Sequence, residues 1–375
     1  MFFFIKQIAR TWCLIQFFSG AVFAQTGAGI SVIDFGAVPD DASDDQNAFS
    51  AAFQYAVNSG GGTVFVPAGD YQFGEKIIVD LGATNIELIG DGNGVSRLIS
   101  INTGGILRFS NSASGARLTV RDLSFIAGIP GAGTAFWFDN PELSPNQELC
   151  SLYMEHVVLM PPDFSTNWFS ENICGSFLRN PQFINVLPVG AYGADVPLMP
   201  TKSGFHLTHS ISPRFVNCYS KNNGTGYLLQ NISGAVFFDR CNAVNVRTGF
   251  VVTARAGESC SIENKNFHMN AEVCGMKIFG GGNVSVLYGA PYWTPADVPY
   301  TDISLENCSD VNIIGNMFHV HNKIPARTQI DLKGNTSGVV IQHNIFNAPG
   351  TRVRKDSDVT DVTVSENIDN PAHVW

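Results

Sequence analysis

Ser203-Gly204-Phe205-His206-Leu207, Thr225-Gly226-Tyr227-Leu228-Leu229, Thr248-Gly249-Phe250-Val251-Val252 and Cys274-Gly275-Met276-Lys277-Ile278 can be laid beneath one another, their glycines 22, 23 and 26 residues apart. A second register runs alongside, with Phe215-Val216-Asn217-Cys218 placed 23 residues before Phe238-Asp239-Arg240-Cys241. Further on, Leu305-Glu306-Asn307, Ile314-Gly315-Asn316, His343-Asn344-Ile345 and Glu366-Asn367-Ile368 each carry an asparagine, the last two 23 residues apart. Units this short cannot bury their own apolar face and must stack on their neighbours. Short alternating stretches, a period between 20 and 30 residues and recurrent Asn predict an all-β fold, a single-stranded right-handed parallel β-helix. Asn suits the corners because it tolerates the left-handed backbone region and can hydrogen-bond from coil to coil.

Upstream of the repeats, Ser43-x-x-Gln46 has the pattern of a capping box. Ala48, Phe49, Ala52, Phe53 and Ala56 follow with helical spacing. The expectation is a short amphipathic helix whose apolar stripe covers the open end of the solenoid and shields its first strand edges. Gly60-Gly61-Gly62 ends it, and Thr63-Val64-Phe65-Val66-Pro67 starts the strands, so residues 25–75 read as cap and first strands of one β-helix domain, 25–375. Residues 1–24 read as a signal peptide: Lys6 and Arg10, an apolar run to Phe18, then Val22-Phe23-Ala24 before Gln25. The expected location is secreted or periplasmic, with no membrane attachment after cleavage.

Of 375 residues, 45% are apolar, 14% are charged, and the net charge is −10. Few charges and many aromatics exclude a disordered chain. The acidic balance argues against a nucleic-acid partner, which needs clustered cations. Beyond Cys13 in the leader, seven cysteines remain with no C-x-x-C pair, so the sequence proposes no metal site, and buried thiols are the expectation for most of them.

Val32-Ile33-Asp34-Phe35-Gly36-Ala37, the acidic stretch from Asp40 to Asp45, and Gly61-Gly62-Thr63-Val64-Phe65-Val66-Pro67-Ala68-Gly69-Asp70-Tyr71 resemble the opening of the pectate-lyase-like superfamily. That group includes polygalacturonases, rhamnogalacturonases, polysaccharide lyases, epimerases and phage tailspike depolymerases. The resemblance implies a saccharide groove on one outer sheet and a polysaccharide partner, with either a monomer or a homotrimer as the assembly. It does not fix a reaction. The polygalacturonase motifs Asn-Thr-Asp, Gly-Asp-Asp, Gly-His-Gly and Arg-Ile-Lys are absent; Asn223-Gly224-Thr225 and Arg247-Thr248 stand at the corresponding corners.

Strand alternation supplies the candidate residues. With Phe205, Tyr227, Phe250 and Met276 inward, His206, Leu228, Val251 and Lys277 face outward, followed by Thr208, Gln230, Thr253 and Phe279. Lys202, Asn223, Arg247 and Glu272 sit at the corners, and Arg327-Thr328-Gln329-Ile330-Asp331-Leu332-Lys333 reads as another strand with Asp331 outward. Residues 200–290 hold eight Lys/Arg against four Asp/Glu, a basic middle in an acidic chain that suits an anionic polymer. A lyase needs cations on the uronate carboxylate and a base, for which His206, Arg247 and Lys277 are candidates, with Lys202, Asn223 and Gln230 binding substrate. A glycosidase needs two carboxyl groups, for which Glu272 and Asp331 lead and Asp239 and Glu263 follow. Tyr292 and Trp293, in an insertion between Tyr288 and Tyr300, offer flat faces for sugars. Elimination is favoured, with hydrolysis and non-catalytic polysaccharide binding as alternatives. No cofactor is expected; the scarcity of clustered carboxylates argues against a calcium cage, while a single calcium ion bridging substrate and protein is compatible with the sequence.

Overall fold

The computed structural model describes residues 29–113, 115–140, 150–162, 166–191, 201–258, 260–293, 299–319, 327–347 and 350–369, without the side chains of Tyr292 and Trp293. The segment read as a signal peptide lies outside them. Eleven parallel strands follow one another in chain order through one long sheet. They are β1 (Ile77–Asp80), β2 (Gly105–Ser110), β3 (Thr134–Asp139), β4 (Glu171–Ser176), β5 (Ser203–Thr208), β6 (Thr225–Ile232), β7 (Asn242–Ala254), β8 (His268–Phe279), β9 (Tyr300–Glu306), β10 (Arg327–Lys333) and β11 (Thr351–Lys355). A second long parallel sheet runs beside it from Ile30–Ser31 to Val362–Ser365, and Met317–Phe318, Ile345–Phe346 and Ile368–Asp369 form a small third. Each turn of the chain thus adds one strand to each long sheet: a right-handed parallel β-helix. No helix among the described residues is long and apolar enough to cross a membrane.

The repeats pair as their alignment predicts, Phe205 to Tyr227, Tyr227 to Phe250 and Phe250 to Met276. Their rings stack at the coil spacing, nearly parallel: Phe205–Tyr227 at 4.9 Å and Tyr227–Phe250 at 4.6 Å. A second column, Phe183–Phe215–Phe238, stacks at 4.9 Å per step from the other sheet and meets the first edge-on. Each such pair adds about 0.5–1.5 kcal/mol beyond burial of its area. The repeated glycine also has a physical reason. A Cβ on Gly204, Gly226, Gly249 or Gly275 would stand 2.8, 2.7, 2.3 or 2.5 Å from the carbonyl oxygen of the next coil, closer than atoms tolerate.

Asparagine fills two roles. At the ends of the second sheet's strands, Asn185, Asn217 and Asn266 adopt φ near +50°, as do Arg240, His343 and Glu366 in other coils. Inside the corner, Asn316 Nδ2 donates to Asn344 Oδ1 and Asn344 Nδ2 to Asn367 Oδ1, each at 3.0 Å, giving a ladder between coils.

Helix α1 (Gln46–Asn58) buries the five residues the spacing selects, Ala48, Phe49, Ala52, Phe53 and Ala56. Phe49 packs edge-on against Tyr71 and Phe73, and Phe53 against Phe109, so the stripe closes the first coils. The capping box does not form. The helix begins at Gln46, whose N–H donates to Asp44 Oδ1 at 3.0 Å, while the N–H of Ser43 donates to Asp41. Local turns, in which Asp41 and Asp44 each accept from the N–H two residues on, take the place of the longer Ser–Gln exchange.

Candidate active site

One outward register runs the length of the long sheet. Arg108, Trp137, Cys174, His206, Leu228, Val251, Lys277, Ser304, Asp331 and Arg354 are successive neighbours from β2 to β11. At about 4.8 Å per strand, His206 stands roughly 14 Å from Lys277 and roughly 24 Å from Asp331. The basic middle is therefore not one constellation.

His206 lies at the centre of the densest polar cluster. Its Nδ1 faces Glu171 Oε1 at 3.5 Å, and its Nε2 lies 3.1 Å from Gln230 Oε1. The Cys174 thiol donates to the second oxygen of Glu171 at 2.9 Å. The hydrogen bond to Glu171 raises the imidazole above its ordinary value against the opposing effect of burial, and Gln230 adds to the rise. Burial alone would lift Glu171; the hydrogen bonds from His206 and Cys174, with the charges of His206 and Lys202, outweigh it and hold the carboxyl low. Burial, reinforced by Glu171, pushes the Cys174 thiol well up. Lys202 is exposed at the head of β5, and its N–H donates to Ser170 O, which fixes the chain beside Glu171. Next to this group, Arg108 pairs with Asp139 and lies over the Trp137 ring at 4.6 Å, and Ser176 Oγ donates to Asp139 Oδ1 at 2.7 Å.

The other sequence candidates fall elsewhere. Arg247 is not at a corner but inside β7, exposed where the pairing with β8 is irregular between Val246 and Thr248, and it opposes, by its charge, the rise that burial imposes on Glu272. Asn223 cannot meet a substrate from outside. It is fully buried, with Nδ2 donating to Pro188 O at 3.1 Å and Ser220 Oγ at 2.9 Å, and Oδ1 accepting from Asn172. Asp331 occupies the outward register yet is 0% exposed, because Arg354 clasps it with two donors and Lys333 Nζ approaches to 3.0 Å. It leaves no carboxylate for a pair with Glu272. Asp239 and Glu263 lie on strands of the second sheet, Gly234–Asp239 and Cys260–Lys265, away from the register. The backbone of Tyr292 and Trp293 pairs with Asn270 and Ala271 of β8, while their side chains lie outside the described part.

Glu171, Cys174, Trp137 and Asp139 escaped the sequence reading. In the coil of Glu171 and Cys174, the residue before the Ile173–Phe205 pair is Asn172, where the later repeats carry glycine, so the spacing signal fades one coil too early. Among the described residues, Glu171, Cys174 and His206 are the group of His, Cys and acidic side chains whose ligand atoms all lie within 4.8 Å of one another.

The family described as "Rhamnogalacturonase A/epimerase, pectate lyase-like" matches residues 29–119. Over 57 residues the chain is 47% identical to mannuronan C5-epimerase AlgE3 of Azotobacter vinelandii, a stretch covering 15% of this chain and 3% of that protein. It thus spans a small fraction of the curated relatives it matches. Among solved structures, the A-module of mannuronan C-5 epimerase AlgE6 from Azotobacter vinelandii superposes with a TM-score of 0.58 at 15% identity, over 92% of this chain and all of that one. PfbA, a surface adhesin of Streptococcus pneumoniae, gives 0.56 at 15% identity, over 91% of each chain. At this identity the likeness fixes the parallel β-helix fold alone. The family match stops at residue 119, ahead of Trp137, Glu171 and His206, so no role passes to them from it.

Proposed function

We propose that the chain acts on an acidic polysaccharide along the outer face of the long sheet, taking the proton beside a uronate carboxylate and cleaving the polymer by elimination. The observation that carries this reading is the setting of His206. Glu171 holds one imidazole nitrogen, and the other faces outward against Gln230, an exposed side chain that a sugar can displace. Lys202, exposed beside Glu171, is the cation for the substrate carboxylate, lowering the cost of the carbanion-like charge that develops there. Leu228 and Val251, the next outward residues, give the C–H faces of neighbouring sugars an apolar surface. Hydrolysis is less well supported, because Asp331 is closed off by Arg354 and Lys333.

The likeness to proteins titled as mannuronan C5-epimerases fits the same first step, since epimerisation also begins by removing the proton next to the carboxylate. The fold shared with an adhesin keeps simple binding as the competing reading. The test is incubation with a panel of uronate polymers, followed by mass spectrometry and ultraviolet absorbance. Unsaturated fragments support elimination. Intact polymer with inverted sugars keeps the proton transfer and overturns the cleavage, and binding without chemical change overturns both.

A further inference from the structure

Six of the described cysteines, Cys150, Cys218, Cys241, Cys260, Cys274 and Cys308, are at most 1% exposed. Cys174 differs in place and in partner. It stands in the outward register between Trp137 and His206 and is 7% exposed. Where the other thiols donate to an oxygen, they reach backbone carbonyls at 3.3–3.9 Å. Cys174 Sγ instead lies 2.9 Å from a carboxylate oxygen of Glu171, whose other oxygen is 3.5 Å from His206 Nδ1.

An ion bound tetrahedrally at about 2.0–2.3 Å leaves its ligand atoms roughly 3.3–3.6 Å apart. The three ligand atoms all lie within 4.8 Å of one another, so side-chain rotations that move them by an ångström or so would bring them to that arrangement. Their chemistry also selects among ions: thiolate and imidazole favour zinc over the oxygen-seeking calcium and magnesium. One thiolate and one carboxylate balance the two positive charges, so the complex is neutral at a half-buried site. A further observation points the same way. Metal-bound histidines usually donate their second ring N–H to a fixed acceptor, and Gln230 Oε1 stands 3.1 Å from His206 Nε2.

We propose that Glu171, Cys174 and His206 form a zinc site on the outer face of the long sheet, its fourth position open towards the groove. On binding, the Cys174 S–H bond breaks, its proton passes to solvent, and sulfur bonds to zinc. The proton that Nδ1 directs at Glu171 is also given up, the neutral imidazole keeping its hydrogen on Nε2 towards Gln230 Oε1, so that Nδ1 gives its lone pair and Glu171 one carboxylate oxygen, with no change of oxidation state. The zinc site stands without the carbohydrate reading, but one consequence rests on it. With Nδ1 on zinc and Nε2–H held by Gln230, His206 can no longer accept a proton, so zinc occupancy and turnover exclude each other.

The experiment uses the full chain, stripped with chelator and dialysed against zinc, with bound metal counted by mass spectrometry and cobalt substitution followed by absorbance. The expected result is one zinc per chain and a thiolate-to-cobalt charge-transfer band. Both are lost in Cys174→Ser, and zinc affinity falls at least about a hundredfold in His206→Ala and Glu171→Gln, more than the 10–100-fold typical of losing an outer partner, which Gln230→Ala should show. Circular dichroism of each variant guards against misfolding, and His206→Ala serves as a second probe should Cys174→Ser not fold. Absence of the band, or its survival in Cys174→Ser, overturns the site. One bound zinc with turnover unchanged upholds the site and counts against His206 as the proton carrier.

Discussion

Two acidic side chains, Glu171 and Asp331, stand on the outer face of the same sheet, six strands apart, and the coils around them put them to opposite uses. Asp331 is met by Arg354 from β11 and Lys333 from its own strand, which bury it and join consecutive coils. Glu171 is met by a thiol and an imidazole, and the imidazole keeps a nitrogen turned outward. The same sheet therefore carries a closed clasp at one end and an open cluster at the other. The residues on the same strand and the next coil decide which, and their sign matters more than the acid itself.

The largest effect should come from opening the cluster. His206→Ala should lower turnover on the true substrate by about 10²–10⁴-fold, the range for a lost proton carrier, with the melting temperature nearly unchanged. Steady-state kinetics beside calorimetry checks both halves. If the stability falls and the turnover does not, the cluster is a clasp like that of Asp331.

The comparison sharpens against a third acid that is wholly interior. Arg327 donates to both oxygens of Asp302 at 2.8 and 2.6 Å and to His319 O at 2.7 Å, with neither side chain exposed. Asp302→Ala leaves the guanidinium charge unpaired in the core and should cost about 3–5 kcal/mol in denaturant unfolding. Asp331→Asn should cost only about 1 kcal/mol, because Arg354 is 54% and Lys333 38% exposed and water screens both. Turnover should be unaffected by Asp331→Asn; a loss comparable to that of His206→Ala would place the working acid at the wrong end of the sheet.

A smaller effect concerns pH. Burial would raise the Asp331 carboxyl, but hydrogen bonds from Arg354 and Lys333 outweigh it and hold it below its ordinary 3.8. A depressed carboxyl contributes stability that is complete above its unfolded value near 4 and is lost as pH falls through the folded value. Wild type should therefore lose more stability than Asp331→Asn between about pH 4 and pH 2, as thermal melts at several pH values would record.

Much of the fold was legible because it repeats. The glycines at 204, 226, 249 and 275 align for a steric reason that applies once per coil, and the stripe of Ala48, Phe49, Ala52, Phe53 and Ala56 has one face to bury. The alternation placed His206 and Gln230 outward together. It misplaced Asn223, since a corner residue can turn either way and this one satisfies Ser220, Pro188 and Asn172 within. It also left out Glu171 and Cys174, whose coil carries Asn172 where later coils carry glycine. A catalytic cluster depends on which side chains meet across coils, and a single departure from the period hides that from the sequence.

The most direct test of the account is the mass of the products released from acidic polysaccharides by wild type, His206→Ala and Asp331→Asn, measured side by side. Fragments lighter by one water than hydrolysis products, made by wild type and Asp331→Asn but not by His206→Ala, are the predicted result. Full-mass fragments, or unsaturated fragments still made at the full rate by His206→Ala, would contradict it.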